Sequence, residues 1–259
     1  MLQRPRAEDE VVVGGLPTTC MDQEEIADWM IARCQANIIG GRQDLPPVIL
    51  SSNGQGIALL GSDPAYDAAM MAADMIHADG MSVVKASRLL TRRPIRGRSC
   101  TTDLFEDVAA RASAAGLGFY FLGSTEDQNR RAVEAVKSRY PGLRITGRHH
   151  GFFGPEDDAA LCAEIVASGA DVLWVALGKP KQEIWCHRNQ DRLRGLGCIK
   201  TCGGLYSYLA LDVPRAPLAM RKAGFEWLYR FLKEPTRLGH RYLVTNTVSA
   251  WRMLRRSHG

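Results

Sequence analysis

No run of apolar residues in this 259-residue chain reaches the ~18 that a helix needs to cross a bilayer. The opening stretch from Met1 to Glu10 is charged and lacks the apolar core of a secretory signal. Together these two absences predict a cytosolic protein, soluble or held peripherally at a membrane. The seven cysteines are odd in number, irregularly spaced and nowhere form a CxxC pair. That argues against a zinc site and against a disulfide framework, and several of them lie in apolar runs as reduced core residues. His149, His150 and His187 lack companions at metal-ligand spacing, so no metal and no cofactor are expected. No GK[ST] closes a glycine-rich loop and no GxGxxG follows a strand, which argues against a P-loop nucleotidase and an NAD-dependent oxidoreductase. A GxSxG elbow is absent too.

What the chain does contain is an alternation of strand and helix signals. Short apolar runs read as strands at 11–13, 48–52, 118–122, 143–146, 171–177 and 198–202, and 81–85 is a further short apolar segment. Helical spacing appears at 22–35, 102–115, 126–140, 155–168 and 180–193. A helix capped by Asp63, with Pro64 in its first turn, is expected to run to about Ile76. Near-continuous apolar strands between helices indicate an α/β, Rossmann-like fold: a mostly parallel sheet with helices on both faces. From Pro217 onward the pattern is helical only, with helices at 219–233 and 237–256 and a break at Glu234-Pro235. The expected organisation is therefore an α/β catalytic domain over 1–214 and a basic helical appendage over 215–259. That second segment holds ten basic residues against two acidic ones, a net +8. The whole chain carries +5, so the remainder carries −3. A cationic segment of this kind fits an anionic partner. Within it Phe225, Leu228, Tyr229 and Leu232 recur at helical spacing among Arg221, Lys222, Arg230, Lys233, Arg237 and Arg241. The pattern fits a packed terminal helix with a solvated basic face, or a surface for anionic headgroups and a pyrophosphate.

In a doubly wound sheet, ligands bind where the C-terminal ends of strands meet helix N-termini. Four segments belong on that edge, each with a plainer reading beside it. Ser51-Ser52-Asn53-Gly54 follows a strand and could hydrogen-bond a sugar or phosphate, or form an ordinary polar turn. Asp79, between Ala78 and Gly80, could accept a hydroxyl proton as a general base, or simply serve a turn. Gly123-Ser124-Thr125 lies between a strand and a helix, where free backbone N–H groups suit phosphate; a plain helix cap is the alternative. Gly178-Lys179-Pro180-Lys181-Gln182-Glu183 follows the most apolar strand. Its lysines oppose the helix dipole, a local cost that argues for a role toward a diphosphate rather than a solvated first turn. Gly203-Gly204 follows the last core strand and allows close backbone approach to a nucleotide, or a flexible turn.

Taken together these segments resemble the WecG/TagA/CpsF family of bacterial glycosyltransferases (glycosyltransferase family 26). The resemblance runs from about Val48 to Arg241. It is carried by SSN at 51–53, ADG at 78–80, TTDL at 101–104, FYFLGS at 119–124 and YPGLRITGRHHGFF at 140–153. LGKPKQEIW at 177–185, RAP at 215–217 and FEWLYRFLKEPTRLGHR at 225–241 are the most specific. It implies a Rossmann-like core and an inverting, metal-independent transferase. Such an enzyme moves a hexose-type sugar from a UDP-sugar to a polyprenyl-diphosphate-linked saccharide in cell-envelope or exopolysaccharide synthesis. By likeness Asp79 is the base, Ser51 stands where Thr is usual, and Gln182 contacts donor or acceptor. Asn53, Gly80, Gly123, Ser124, Gly178, Lys179, Pro180, Lys181, Glu183, Gly203 and Gly204 line the donor side. Arg215, Arg221, Arg230, Arg237 and Arg241 meet the acceptor diphosphate at the inner face of the plasma membrane. The chain departs from the family at Tyr206-Ser207, where Phe-Asp is usual, at Leu211 for a usual Gly, and at Thr101, where the Gly of that motif is missing. The expected partners are the UDP-sugar, the lipid-linked acceptor and an anionic membrane surface, with no nucleic acid. Enzymes of this fold often assemble, so a homo-oligomer is allowed. The alternative is a non-catalytic membrane-surface or nucleotide-binding adaptor on the same fold.

Overall fold

The computed structural model describes residues 9–233 and 235–259; at 218, 222, 223, 230, 233 and 235–244 the description is of the backbone alone. The chain opens with a hairpin of β1 (Glu10–Val13) and β2 (Leu16–Thr19), followed by α1 (Gln23–Ile39). The start of α1 is fixed by a reciprocal cap: Asp22 accepts from the Glu25 amide, and Glu25 accepts from the Asp22 amide. Then come β3 (Val48–Ser52), α2 (Gly54–Leu59), α3 (Pro64–Ala72), β4 (Met75–Ala78), α4 (Met81–Leu90) and α5 (Thr101–Ala115). The second half holds β5 (Gly118–Gly123), α6 (Glu126–Arg139), β6 (Arg144–His149), α7 (Asp158–Ala167), β7 (Val172–Ala176), α8 (Lys181–Asn189), β8 (Cys198–Thr201) and α9 (Leu205–Leu209). It closes with α10 (Leu218–Ala223), α11 (Glu226–Lys233) and α12 (Pro235–Arg255).

The six core strands form one sheet in the order β4-β3-β8-β7-β5-β6, and all neighbours are parallel. Two apolar layers explain why. On one face α1, α5, α6 and α9 bury Ile26, Met30, Phe105, Val108, Val136 and Leu209. On the other face the β1–β2 hairpin, α2, α3, α4, α7, α8 and the end of α12 bury a second cluster. Central strands covered on both faces must be apolar throughout, and every residue of β5 and β7 is buried. Phe105 packs edge-to-face with Phe119, Phe121 and Trp174, its centroid 4.9 Å from that of Trp174, and Phe119 lies tilted against Trp174. Such pairs contribute about 0.5–1.5 kcal/mol each beyond simple burial. At the sheet's other end Asp171 accepts from the Gly118 amide at 2.7 Å and pairs with Arg42 and Arg144, clamping the entry to β5 and β7.

The structure departs from the sequence expectation at several elements. The helix opened by Asp63 and Pro64 ends at Ala72, and Ile76 lies in strand β4. The apolar segment at 81–85 is the start of a helix, α4. The expected helix over 219–233 is two helices, because Gly224 takes the left-handed conformation (φ +83°) and caps α10. The expected break at Glu234-Pro235 falls on Glu234, which lies outside the described residues; α11 is described as far as Lys233 and α12 from Pro235. The C-terminal end of α12 returns to the core. Met253 is buried against it, Arg252 donates to the Ile57 carbonyl at 2.6 Å, and His258 pairs antiparallel with Val12.

Candidate active site

Because the sheet is parallel, β3, β4, β8, β7 and β5 all present their C-terminal ends on one edge, and the four candidate segments gather there with Gly203-Gly204. Asp79 sits directly after β4. Its Oδ1 accepts the Thr101 amide at 2.8 Å, and its Oδ2 accepts from Asn53 Nδ2 at 3.3 Å. Arg98 Nε donates to its backbone carbonyl at 2.9 Å. Burial alone would raise the Asp79 carboxyl. The Thr101 amide, His77, Arg98 and Asn53 outweigh it and hold the group below the ordinary carboxylate value. Asp79 is therefore ionised at neutral pH, the state a general base requires. Asn53 has two jobs: its Oδ1 caps α2 by accepting the Gly56 amide at 3.0 Å while its Nδ2 reaches Asp79. Gly80 permits this closeness, since a Cβ there would lie 3.3 Å from the Asn53 Cβ.

Across the edge, the first turn of α8 forms a buried brace. The Gln182 Oε1 accepts the Gly178 amide at 3.2 Å and the Gly203 amide at 3.1 Å, and its Nε2 donates to Glu183 Oε1 at 2.9 Å. Gln182 thus ties the loop after β7 to the loop after β8, with its amide engaged inside the protein. Lys179 precedes the cis Lys179-Pro180 bond, and its side chain is buried as well. It donates to Glu183 Oε1 at 2.7 Å and to the Ser51 carbonyl at 3.0 Å. The dipole cost of a lysine at this helix start is met by that internal carboxylate. Lys181 instead reaches the open side, donating to the Gly151 carbonyl at 3.2 Å and lying 5.2 Å from the Phe153 ring centroid.

Beside the brace lies an open hollow of ≈ 720 Å³ lined by Ser124, Thr125, Gly151, Phe152, Phe153, Ala176, Leu177 and Lys181. It falls between the ends of β5 and β7, whose onward connections lead to opposite sides of the sheet, the switch point where doubly wound folds bind ligands. Gly123 is required here: at φ +120° a Cβ would stand 2.4 Å from the Ala176 carbonyl oxygen. Thr125, rather than Ser124, caps α6, accepting the Gln128 amide at 3.2 Å.

Two of the five candidate arginines reach this region. Arg215 Nη1 and Arg221 Nη1 both donate to Asp103 Oδ1, at 2.6 and 3.4 Å. The Nε and Nη2 of Arg215 and the Nε of Arg221 are buried with no partner among the described residues. Asp103 is two residues beyond Thr101, so these cations stand beside the loop that holds Asp79. The side chains of Arg230, Arg237 and Arg241 lie outside the described residues. Sequence reasoning missed Arg98, which joins the Asp79 carbonyl to Glu226 of α11, and it missed the Thr101 amide. A backbone donor leaves no trace in residue type. Arg98 sits in a run of arginines that nothing else singles out. Among the described residues, no His, Cys, Asp and Glu group could hold a metal ion.

A parallel α/β sheet with an ionised carboxylate and a switch-point hollow on its C-terminal edge defines a Rossmann-like enzyme. Residues 11–259 match the profile of the glycosyl transferase WecG/TagA/CpsF family, and the chain belongs to that family. It is by that membership a glycosyltransferase, of a family that works in cell-envelope polysaccharide biosynthesis with a sugar-nucleotide donor and a lipid-linked acceptor.

Proposed function

We propose that the protein is an inverting, metal-independent transferase that moves a hexose-type sugar from a UDP-sugar to a polyprenyl-diphosphate-linked saccharide. The observation that carries this reading is Asp79, an ionised carboxylate fixed by Thr101 and Asn53 at the end of β4, on the same sheet edge as the switch-point hollow but with β3 and β8 between them. Asp79 removes the acceptor hydroxyl proton. The freed oxygen attacks the anomeric carbon on the face opposite UDP, and the bond to the diphosphate oxygen breaks with inversion. Ser51, Asn53 and Gly80 border the reacting centre, and Gln182 sets the Gly178 and Gly203 loops around it. The nucleoside occupies the hollow at Gly123-Ser124, and its diphosphate reaches along the sheet edge toward Gly203 and Gly204. Phe152 and Phe153 offer apolar faces there, and Lys181 a cation on the donor side with Pro180, Gly204 and the Lys179–Glu183 pair behind it.

Charge grows on the departing UDP in the transition state, and fixed donors aimed at it are the largest source of acceleration in such sites. The unpartnered N–H groups of Arg215 and Arg221 are suited to a diphosphate, and Arg230, Arg237 and Arg241 extend the same cationic run along the chain. The α11 sequence, with Trp227 and Leu232 exposed, supports docking at the inner face of the plasma membrane, where the lipid-linked acceptor resides. No helix among the described residues is long and apolar enough to cross a membrane. The test is UDP release from a panel of UDP-sugars with a short polyprenyl-diphosphate-linked acceptor and EDTA present. Acceptor-dependent release from one donor is expected. Vesicle binding without UDP release or UDP binding would instead favour an adaptor.

A further inference from the structure

The sheet opens at the site, and a buried lysine sits where it opens. Strands β3 and β8 pair only at Val48↔Ile199 and Ile49↔Lys200. Beyond Lys200 the two strands part, and lysine ammonium groups meet the carbonyls there. Lys179 donates to Ser51 O, and Lys200 donates to Thr201 O. Lys200 is fully buried in the central strand between Ile49 and Trp174. Among the described residues a neutral carbonyl is its only hydrogen-bond acceptor, and no carboxylate pairs with it. A buried cation without an ion-pair partner costs several kcal/mol, a cost that structural packing alone would avoid with an aliphatic side chain.

The surrounding charges do not supply the missing anion. On β4 stands His77, held neutral by burial and by Lys200, and directly after β4 stands Asp79, committed to Thr101 and Asn53. From the α8 turn come Lys179 and Glu183, already paired with each other. Cys202 just past β8 and Tyr206 on α9 are pushed up by burial, and Cys34 on α1 by its hydrogen bond to Cys198 and then by burial, so these three are neutral. Three further buried polar atoms in this quarter, Ser52 Oγ, His77 Nε2 and Glu183 Oε2, lack partners among the described residues.

We propose that Lys200 is a buried counter-charge for the anionic part of the ligand on the β3–β8 edge, a positioning residue that favours a nucleoside diphosphate at Gly203 and Gly204. This rests on the donor reading above. Burial lowers the Lys200 ammonium to about 8, with Lys179 adding to the fall and Asp79 and Glu183 opposing it. An arriving diphosphate stabilises the charged form and raises that value, so binding takes up a proton from solution on the alkaline side. A rise of one unit gives an uptake of about 0.5 proton at pH 8.5.

The experiment is calorimetry of UDP binding at pH 6.5 and pH 8.5 in two buffers of differing ionisation enthalpy, HEPES and Tris, with wild-type protein and Lys200→Met. Wild type is expected to take up a fraction of a proton at pH 8.5 and almost none at pH 6.5. Lys200→Met, if it folds, should lose that uptake and bind UDP several-fold more weakly at pH 6.5. UDP binding to wild type with no pH-dependent uptake overturns this inference and leaves the donor reading standing. The same uptake in Lys200→Met also overturns it. No UDP binding by wild type overturns the donor reading and this inference with it.

Discussion

His77 on β4 and Asp79 directly after it have opposite demands. Replacing Asp79 with Ala removes the base, and kcat is expected to fall ~10²–10⁴-fold. Asp79→Asn should lose comparable activity while sparing much of the fold, because its amide oxygen still accepts from Thr101. Full activity in a folded Asp79→Ala protein, read as UDP release, would sink the assignment. His77 governs acid stability. Burial first, then Lys200, brings its imidazole from 6.5 down to about 3, so the folded state binds no proton where the unfolded state does. Stability is then present above pH 6.5 and lost as pH falls from 6.5 toward 3. Asp79, whose folded value is depressed, adds a loss only below the ordinary carboxylate value of 3.8. Denaturant unfolding of His77→Gln should show a flatter decline between pH 6.5 and 4 than wild type; an unchanged slope would assign that decline elsewhere. At this scale Ser51, Asn53, Asp79 and Gln182 were legible because each is a polar residue just past an apolar run. Their partners were not. The Thr101 amide belongs to no side chain. Lys200 sits among apolar strand neighbours, where its burial shows only in three dimensions.

At the scale of elements, legibility followed length and burial. Strands β3, β5, β7 and β8 are apolar runs with clear ends, and the structure places them within about two residues of the sequence reading. The six-residue α2 and five-residue α9 are too short to show helical period. Strand β4 was absorbed into the preceding helix because Met75 and Ile76 continue that helix's apolar run in sequence. A single Gly inside a helical pattern weakens a helix by only ~1 kcal/mol against Ala, so Gly224 gave no signal of a break. Its conformation does the breaking, and Gly224→Ala should therefore cost about 1–3 kcal/mol. A Cβ at 224 would stand 2.6 Å from Met81 Cγ, so the substitution also pushes α11 away from α4. Since Glu226 of α11 holds Arg98, and Arg98 holds the Asp79 carbonyl, the same variant should lower kcat more than its lost stability explains. Thermal unfolding and UDP release on one preparation separate the two effects. A variant with reduced Tm and unchanged kcat would show that the α11 contact is passive. Gly123→Ala offers no such relief, because its Cβ meets backbone at Ala176; a loss of about 2–4 kcal/mol is expected there.

The whole molecule is electrically lopsided, with +8 over 215–259 against −3 elsewhere. Removing that segment is the obvious test of a membrane role, and the structure shows why it is the wrong one. The end of α12 covers α2 and the β1–β2 hairpin, with Met253 in the apolar cluster and Ser249 against Gly54. A chain cut at 214 would expose that cluster and lose stability as well as charge. The side chains to alter are those that face solvent. Trp227 and Leu232 of α11 are 45% and 65% exposed, far from the state of buried core residues. If α11 is the docking helix, Trp227→Ser with Leu232→Ser should weaken binding to anionic phosphatidylglycerol vesicles about tenfold or more, since burying such side chains contributes ~1.5–3 kcal/mol each. Stability should stay within about 1 kcal/mol of wild type, as at other exposed positions. Raising salt should weaken the residual binding further, because what remains is electrostatic. Vesicle co-sedimentation at two salt concentrations reads both terms. Binding that survives the double substitution but disappears in high salt would assign docking to the arginines alone. Binding indifferent to both would remove α11 from the membrane interface and leave the exposed Trp251, Leu254 and Arg255 of α12 as the face to test next.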